Sequence, residues 1–132
     1  MNDAQLDKFT RDYVKSEVIF EENSLGKEMY IVYSGKVRLF TKGETDSCLT
    51  LATIEEGGFF GEMTLIDKSP RSATAVAEEN TRLIVLDRPK FLYMIQQQPM
   101  FAFTIMGVLC RRIRETNAQL AKAKEGGRRD EH

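Results

Sequence analysis

A chain of 132 residues with 42% hydrophobic and 30% charged residues is sized and composed for one globular domain with one core. Its 19 basic and 20 acidic residues leave a net charge of −1, which excludes bulk attraction to nucleic acid or an anionic membrane, so any basic site is local. Cys48 and Cys110 lie far apart and the lone His132 sits at the extreme end, so the pattern suggests neither a metal-ligand cluster nor a disulfide framework; the two thiols read as buried side chains in a reducing cytoplasm.

The first residues, Met1-Asn2-Asp3-Ala4-Gln5, have neither the basic start nor the apolar run of a signal peptide. Asn2 or Asp3 can cap a short N-terminal helix whose Leu6, Phe9 and Tyr13 recur at helical spacing. From Val18 the period shortens. Val18-Ile19-Phe20, Met29-Tyr30-Ile31-Val32-Tyr33, Lys36-Val37-Arg38-Leu39-Phe40 and Cys48-Leu49-Thr50-Leu51-Ala52-Thr53-Ile54 read as short strands, separated by turns at Asn23 to Gly26, Gly35 and Thr41 to Asp46. Strands at roughly 8–12-residue spacing predict an antiparallel barrel or sandwich.

Glu55-Glu56-Gly57-Gly58 leads into residues 60–77, the most informative stretch. Gly61 lacks the Cβ that would keep a ligand from the backbone, and Glu62 to Ile66 can form one helical turn whose first amides face an anion. Pro70 fixes the chain before Arg71, whose planar guanidinium can donate two parallel bonds to phosphate oxygens. Ser72 adds a hydroxyl, Ala73 leaves room, and Ser72 to Ala77 alternate as a strand beneath a ligand. A plainer reading has Gly61 making a turn and Arg71 pairing with Glu62 across it.

Thr81 to Leu86 supply a closing strand. Asp87 is then an N-cap and Pro89 a first-turn residue for a helix with Phe91, Leu92 and Ile95 on one face. Gln98-Pro99 interrupts it and starts a second helix, predicted from Pro99 to about Lys124. Ala102, Met106, Leu109, Ile113, Thr116, Leu120 and Ala123 alternate at spacings of four and three, the seam of a coiled coil about 37–39 Å long. Its apolar core, Met100 to Cys110, is about half the ~20 residues a membrane span needs. Residues 125–132 are charged and interrupted by glycine, and read as a disordered tail.

The cassette at residues 60–77 resembles the phosphate-binding cassette of cyclic nucleotide-binding domains. The blocks Gly26 to Val32 and Ser34 to Val37 resemble the opening of their barrel, and Leu109-Cys110-Arg111-Arg112-Ile113 with Thr116 resembles the dimerisation helix of the catabolite-activator branch. The resemblance implies a mainly β fold: an antiparallel, jelly-roll-like barrel over about residues 15–87 with C-terminal helices over 88–124, together one domain. It implies a 3′,5′-cyclic mononucleotide as ligand, cyclic AMP before cyclic GMP. Gly61, Glu62, Met63, Thr64, Arg71, Ser72 and Ala73 would take the phosphate and ribose, Glu62 accepting from the free 2′-OH. Thr116 and Asn117 stand where the family's Thr and Ser reach adenine. Asn117 departs from that Ser, and a Thr pair across a dimer seam or a bond back to its own helix are equal readings of Thr116.

The expected function is therefore a non-enzymatic, cytoplasmic regulatory module. It acts as a homodimer through the last helix, with a protein effector as a further partner, no cofactor, and no direct contact with membrane. The helix-turn-helix domain that follows this helix in catabolite activators has no counterpart in the sequence, so DNA binding is not expected. Two other readings keep the fold: a ligand-free docking module, or a receptor for a cyclic dinucleotide such as cyclic di-GMP. Catalysis is disfavoured by the lack of an internal His, a nucleophile beside a base, or a Walker-type loop.

Overall fold

Turn residues and alternating burial divide the first two thirds of the chain into strands. A computed structural model describes residues 8–43 and 47–130. Among them β1 (Thr10–Tyr13), β2 (Val18–Phe20), β3 (Glu28–Ser34), β4 (Lys36–Lys42), β5 (Cys48–Glu55), β6 (Phe59–Phe60), β7 (Thr74–Ala77) and β8 (Thr81–Asp87) form two four-stranded antiparallel sheets, ordered β1-β8-β3-β6 and β2-β7-β4-β5. The described residues also form three helices: α1 (Glu62–Asp67), α2 (Arg88–Gln97) and α3 (Pro99–Asp130). The mainly β antiparallel architecture with a long last helix is the predicted fold class.

The core lies between the two sheets, where Tyr13, Tyr30, Val32, Val37, Ile54, Phe60, Ala75, Ala77, Leu83 and Val85 form one cluster. Successive strand residues face opposite sides, so Met29 and Leu86, paired in register beside Tyr30 and Val85, are buried on the other face of their sheet. Helix α1 packs against β3. Central strand β3 is therefore apolar on both faces, and its Glu28 and Tyr30 lie against Arg71 in the candidate site.

The N-terminal helical reading is corrected at Tyr13. Residues 10–13 form β1, paired with β8 from Thr10↔Ile84 to Tyr13↔Thr81, while Leu6 and both proposed caps lie outside the described residues. Pairing with the β8 edge satisfies backbone groups that a lone short helix would leave to water, and it turns Tyr13 into the core. The thiols also differ from expectation: Cys48 and Cys110 are both exposed, one at the start of edge strand β5 and one on α3.

The chain divides into two units after Phe91. In the second, α3 runs past Lys124 to Asp130, 32 residues or about 48 Å at 1.5 Å per residue. No proline interrupts it there, and the two glycines, Gly126 and Gly127, cost helix only about 1 kcal/mol each. Its stripe is open within the single chain, with Met106, Ile113 and Leu120 each at least half exposed.

Candidate functional site

Buried Phe59 and Phe60 pin β6 against β3, and the chain must then turn out of the sheet within one residue. Gly61 does so at φ 78°, ψ 9°, the left-handed region that glycine enters without Cβ strain. It occupies the N-cap of α1 with no side-chain capping bond, and Glu62 stands in the first turn, where the helix dipole favours a carboxylate. The helix ends at left-handed Lys68 (φ 59°), whose N–H donates to the Thr64 carbonyl. The Asp67 carboxylate then accepts from both the hydroxyl (2.6 Å) and the amide (3.0 Å) of Ser69, which holds its pKa below the usual range and turns the chain toward Pro70 and Arg71.

Among the described residues Arg71 is the charged one of the buried polar side chains, with 4% of its surface exposed. Its Nη1 donates to the Gly61 carbonyl (3.1 Å) and the Thr64 hydroxyl (3.3 Å), and Nη2 donates to the Glu28 carbonyl (2.7 Å). The guanidinium carbon lies 4.3 Å from the Phe20 ring centre and 5.7 Å from that of Tyr30, so aromatic faces supply further cation stabilisation. Its backbone is strapped to the β2–β3 loop: the Asn23 amide donates to the Arg71 carbonyl (2.7 Å), and the Arg71 amide donates to the Ser24 carbonyl (2.9 Å). Burial pushes the guanidinium pKa down, opposed by the charges of Tyr30 and Glu28. Arginine nonetheless keeps its proton at any ordinary pH.

Nε of Arg71 is the buried side-chain nitrogen left without a hydrogen-bond partner among the described residues. A buried unsatisfied donor costs about 1–3 kcal/mol, more when charged. The arrangement is thus a cation held by two backbone carbonyls and a hydroxyl, with one donor unused, chemistry suited to an oxyanion.

Of the cassette residues named from the sequence, Gly61 and Thr64 meet Arg71. Gly61 to Thr64 form the start of α1, Thr64 touches Arg71, Met63 is exposed, and exposed Ser72 and buried Ala73 lead into β7. Thr116 and Asn117 lie exposed on α3, in the second unit. Phe20, Tyr30, Glu28 and Gly26 were not legible as parts of the site. Phe20 and Tyr30 look like core residues in any strand pattern, Glu28 acts through its carbonyl, and Gly26 looks like a turn glycine. Among the described residues no cluster of His, Cys, Asp and Glu is placed to hold a metal, and no helix is long and apolar enough to cross a membrane.

A family described as "Cyclic nucleotide-binding domain" matches residues 10–98, from β1 through α2, and so contains the whole Gly61–Arg71 constellation. The chain belongs to the cyclic nucleotide-binding domain family. The cyclic AMP receptor protein of Thermus thermophilus is 41% identical over 119 residues, 89% of this chain and 55% of the relative. A CRP-like cAMP-activated global transcriptional regulator of Mycobacterium tuberculosis is 29% identical over 110 residues, 83% of this chain and 49% of the relative. Among solved structures, the Thermus thermophilus catabolite activator protein aligns with TM-score 0.78 over 89% of this chain and 56% of its own, at 41% identity. An EAL enzyme in its cAMP-bound form aligns with TM-score 0.61 at 31% identity, over 84% of this chain and 30% of its own. The chain spans about half the length of the curated relatives it matches.

Proposed function

We propose that this cyclic nucleotide-binding domain is a non-enzymatic regulatory module that takes cyclic AMP in preference to cyclic GMP. The observation that carries this reading is the buried Arg71 guanidinium, preorganised by Gly61, Thr64 and Glu28 yet holding an unpartnered Nε. A cyclic phosphodiester supplies the missing anion, Ser72 adds a hydroxyl, and Gly61, Met63 and Ala73 shape the wall. Glu62 accepts from the ribose 2′-OH, because a carboxylate beside a phosphate must face a donor. Thr116 and Asn117 of α3 select the base, and the preference for adenine is supported by relatives named as cyclic AMP-responsive.

In this proposal α3 carries the signal, as a cytoplasmic homodimer whose exposed stripe forms the seam and whose geometry is read by a protein effector. Binding moves α3 only as far as the ligand prefers one helix position; a shift from 1:99 to 99:1 needs about 5.5 kcal/mol of preference.

Calorimetric titration with cyclic AMP, cyclic GMP and cyclic di-GMP tests the reading. Cyclic AMP binds tightest, and Thr116→Ala narrows the ratio of cyclic AMP to cyclic GMP affinity without abolishing either. Binding of the dinucleotide alone would replace the proposed ligand, and binding of none would leave the fold as a docking module.

A further inference from the structure

We infer that Gly26, in the β2–β3 loop, is the positioning residue that holds the Arg71 guanidinium in place; this deepens the proposed function and rests on it for the ligand. A Cβ built on Gly26 would lie within 2.5 Å of Nε, Cζ and Nη2 of Arg71. Non-bonded atoms essentially never come so close to a Cβ, so the bare glycine backbone is one wall of the guanidinium slot and Phe20 flanks the same group at 4.3 Å. The wall faces the edge that carries the unpartnered Nε.

Gly26 differs from the other glycine at the slot. Gly61 needs its positive φ whatever stands beside it, whereas Gly26 lies outside the left-handed region, so alanine can adopt its backbone. The space taken by Arg71 is therefore what demands glycine at this position. The loop cannot simply retreat from an added methyl, because the reciprocal bonds of Asn23 and Ser24 to the Arg71 backbone make loop and arginine move together. The yielding part is the guanidinium, and it yields by leaving the Glu28 and Gly61 carbonyls.

A double-mutant cycle on the full chain reads this coupling. Gly26→Ala lowers the thermal unfolding midpoint in the parent protein. In an Arg71→Ala background the same change leaves the midpoint unchanged or raises it, because alanine restricts the unfolded chain and meets nothing in the fold. Arg71→Lys, which lacks the planar fork, is the second background should Arg71→Ala fail to fold. With ligand, Gly26→Ala weakens cyclic AMP and cyclic GMP alike by about ten- to hundredfold, the range of one lost charge-assisted hydrogen bond, and leaves their ratio unchanged. An equal drop in midpoint in both backgrounds, or an unaltered midpoint and affinity in the single variant, would overturn the assignment. If the parent binds no cyclic nucleotide, the functional reading fails while the unfolding arm still decides the Gly26–Arg71 coupling.

Discussion

The guanidinium of Arg71 stacks on the ring of Phe20, 4.3 Å from its centre, in a slot that leaves Arg71 4% exposed. Phe20 comes from β2 and Arg71 from the segment before β7, strands that are neighbours in one sheet. The β2–β7 pairing therefore sets the stack. A buried cation is stable only where dipoles and ring faces replace its water, and here three acceptors and an aromatic face do so.

Phe20→Leu removes the ring face and leaves a partly filled gap beside Tyr30 and Phe60, with which Phe20 makes tilted ring contacts at 5.8 and 5.9 Å. Loss of the cation–π contact and of packing is expected to destabilise the domain by about 1–3 kcal/mol. Urea denaturation with an unchanged m-value measures it. Affinity for cyclic nucleotide falls in the same variant because Arg71 loses its stack.

Tyr30 makes stability depend on alkaline pH. Burial first, then the charges of Glu28 and Tyr13, push its phenol from 10.0 up to about 12. The unfolded chain therefore releases this proton at a lower pH than the folded one. The contribution is fully present below pH 10 and is lost as pH rises through 12, amounting to roughly 2–3 kcal/mol at 1.36 kcal/mol per unit. Tyr30→Phe keeps the stack on Phe60 at 5.1 Å and removes the hydroxyl that donates to Glu28. The decline in stability between pH 10 and 12 should be shallower in Tyr30→Phe than in the parent, measured by denaturant midpoints across that window.

If α3 is a dimer seam, Ile113→Glu disrupts it, since Ile113 is 59% exposed in the single chain and lies midway along the stripe. Sedimentation equilibrium is expected to show a dimer for the parent and a monomer for the variant, with the β-sheet circular dichroism retained. A monomeric parent would remove the seam from the proposal.

The cassette was readable because its residues have backbone reasons to be where they are. Gly61 is left-handed, and Pro70 blocks helix before Arg71. The strands were readable from alternation, as in β8, whose Thr81, Leu83 and Val85 are buried. Strand β1 was not, because four residues with one buried member, Tyr13, carry no period. The exposure of Cys48 and Cys110 was also hidden, since whether a helix or strand face is covered is a tertiary property. The Glu28 carbonyl and the Gly26 wall have no side-chain signature at all. They emerge only when the β2–β3 loop is laid against Arg71.

The most direct measurement is thermal unfolding of the parent and of Arg71→Leu, each alone and with cyclic AMP at saturation. Ligand at a hundredfold excess over its dissociation constant adds about 2.7 kcal/mol, and a domain of this size gains roughly 3–6 °C per kcal/mol. A rise of several degrees is expected in the parent and none in Arg71→Leu, whose unliganded form still unfolds cooperatively. An equal rise in both proteins would contradict the role given to Arg71, and no rise in the parent would contradict the ligand.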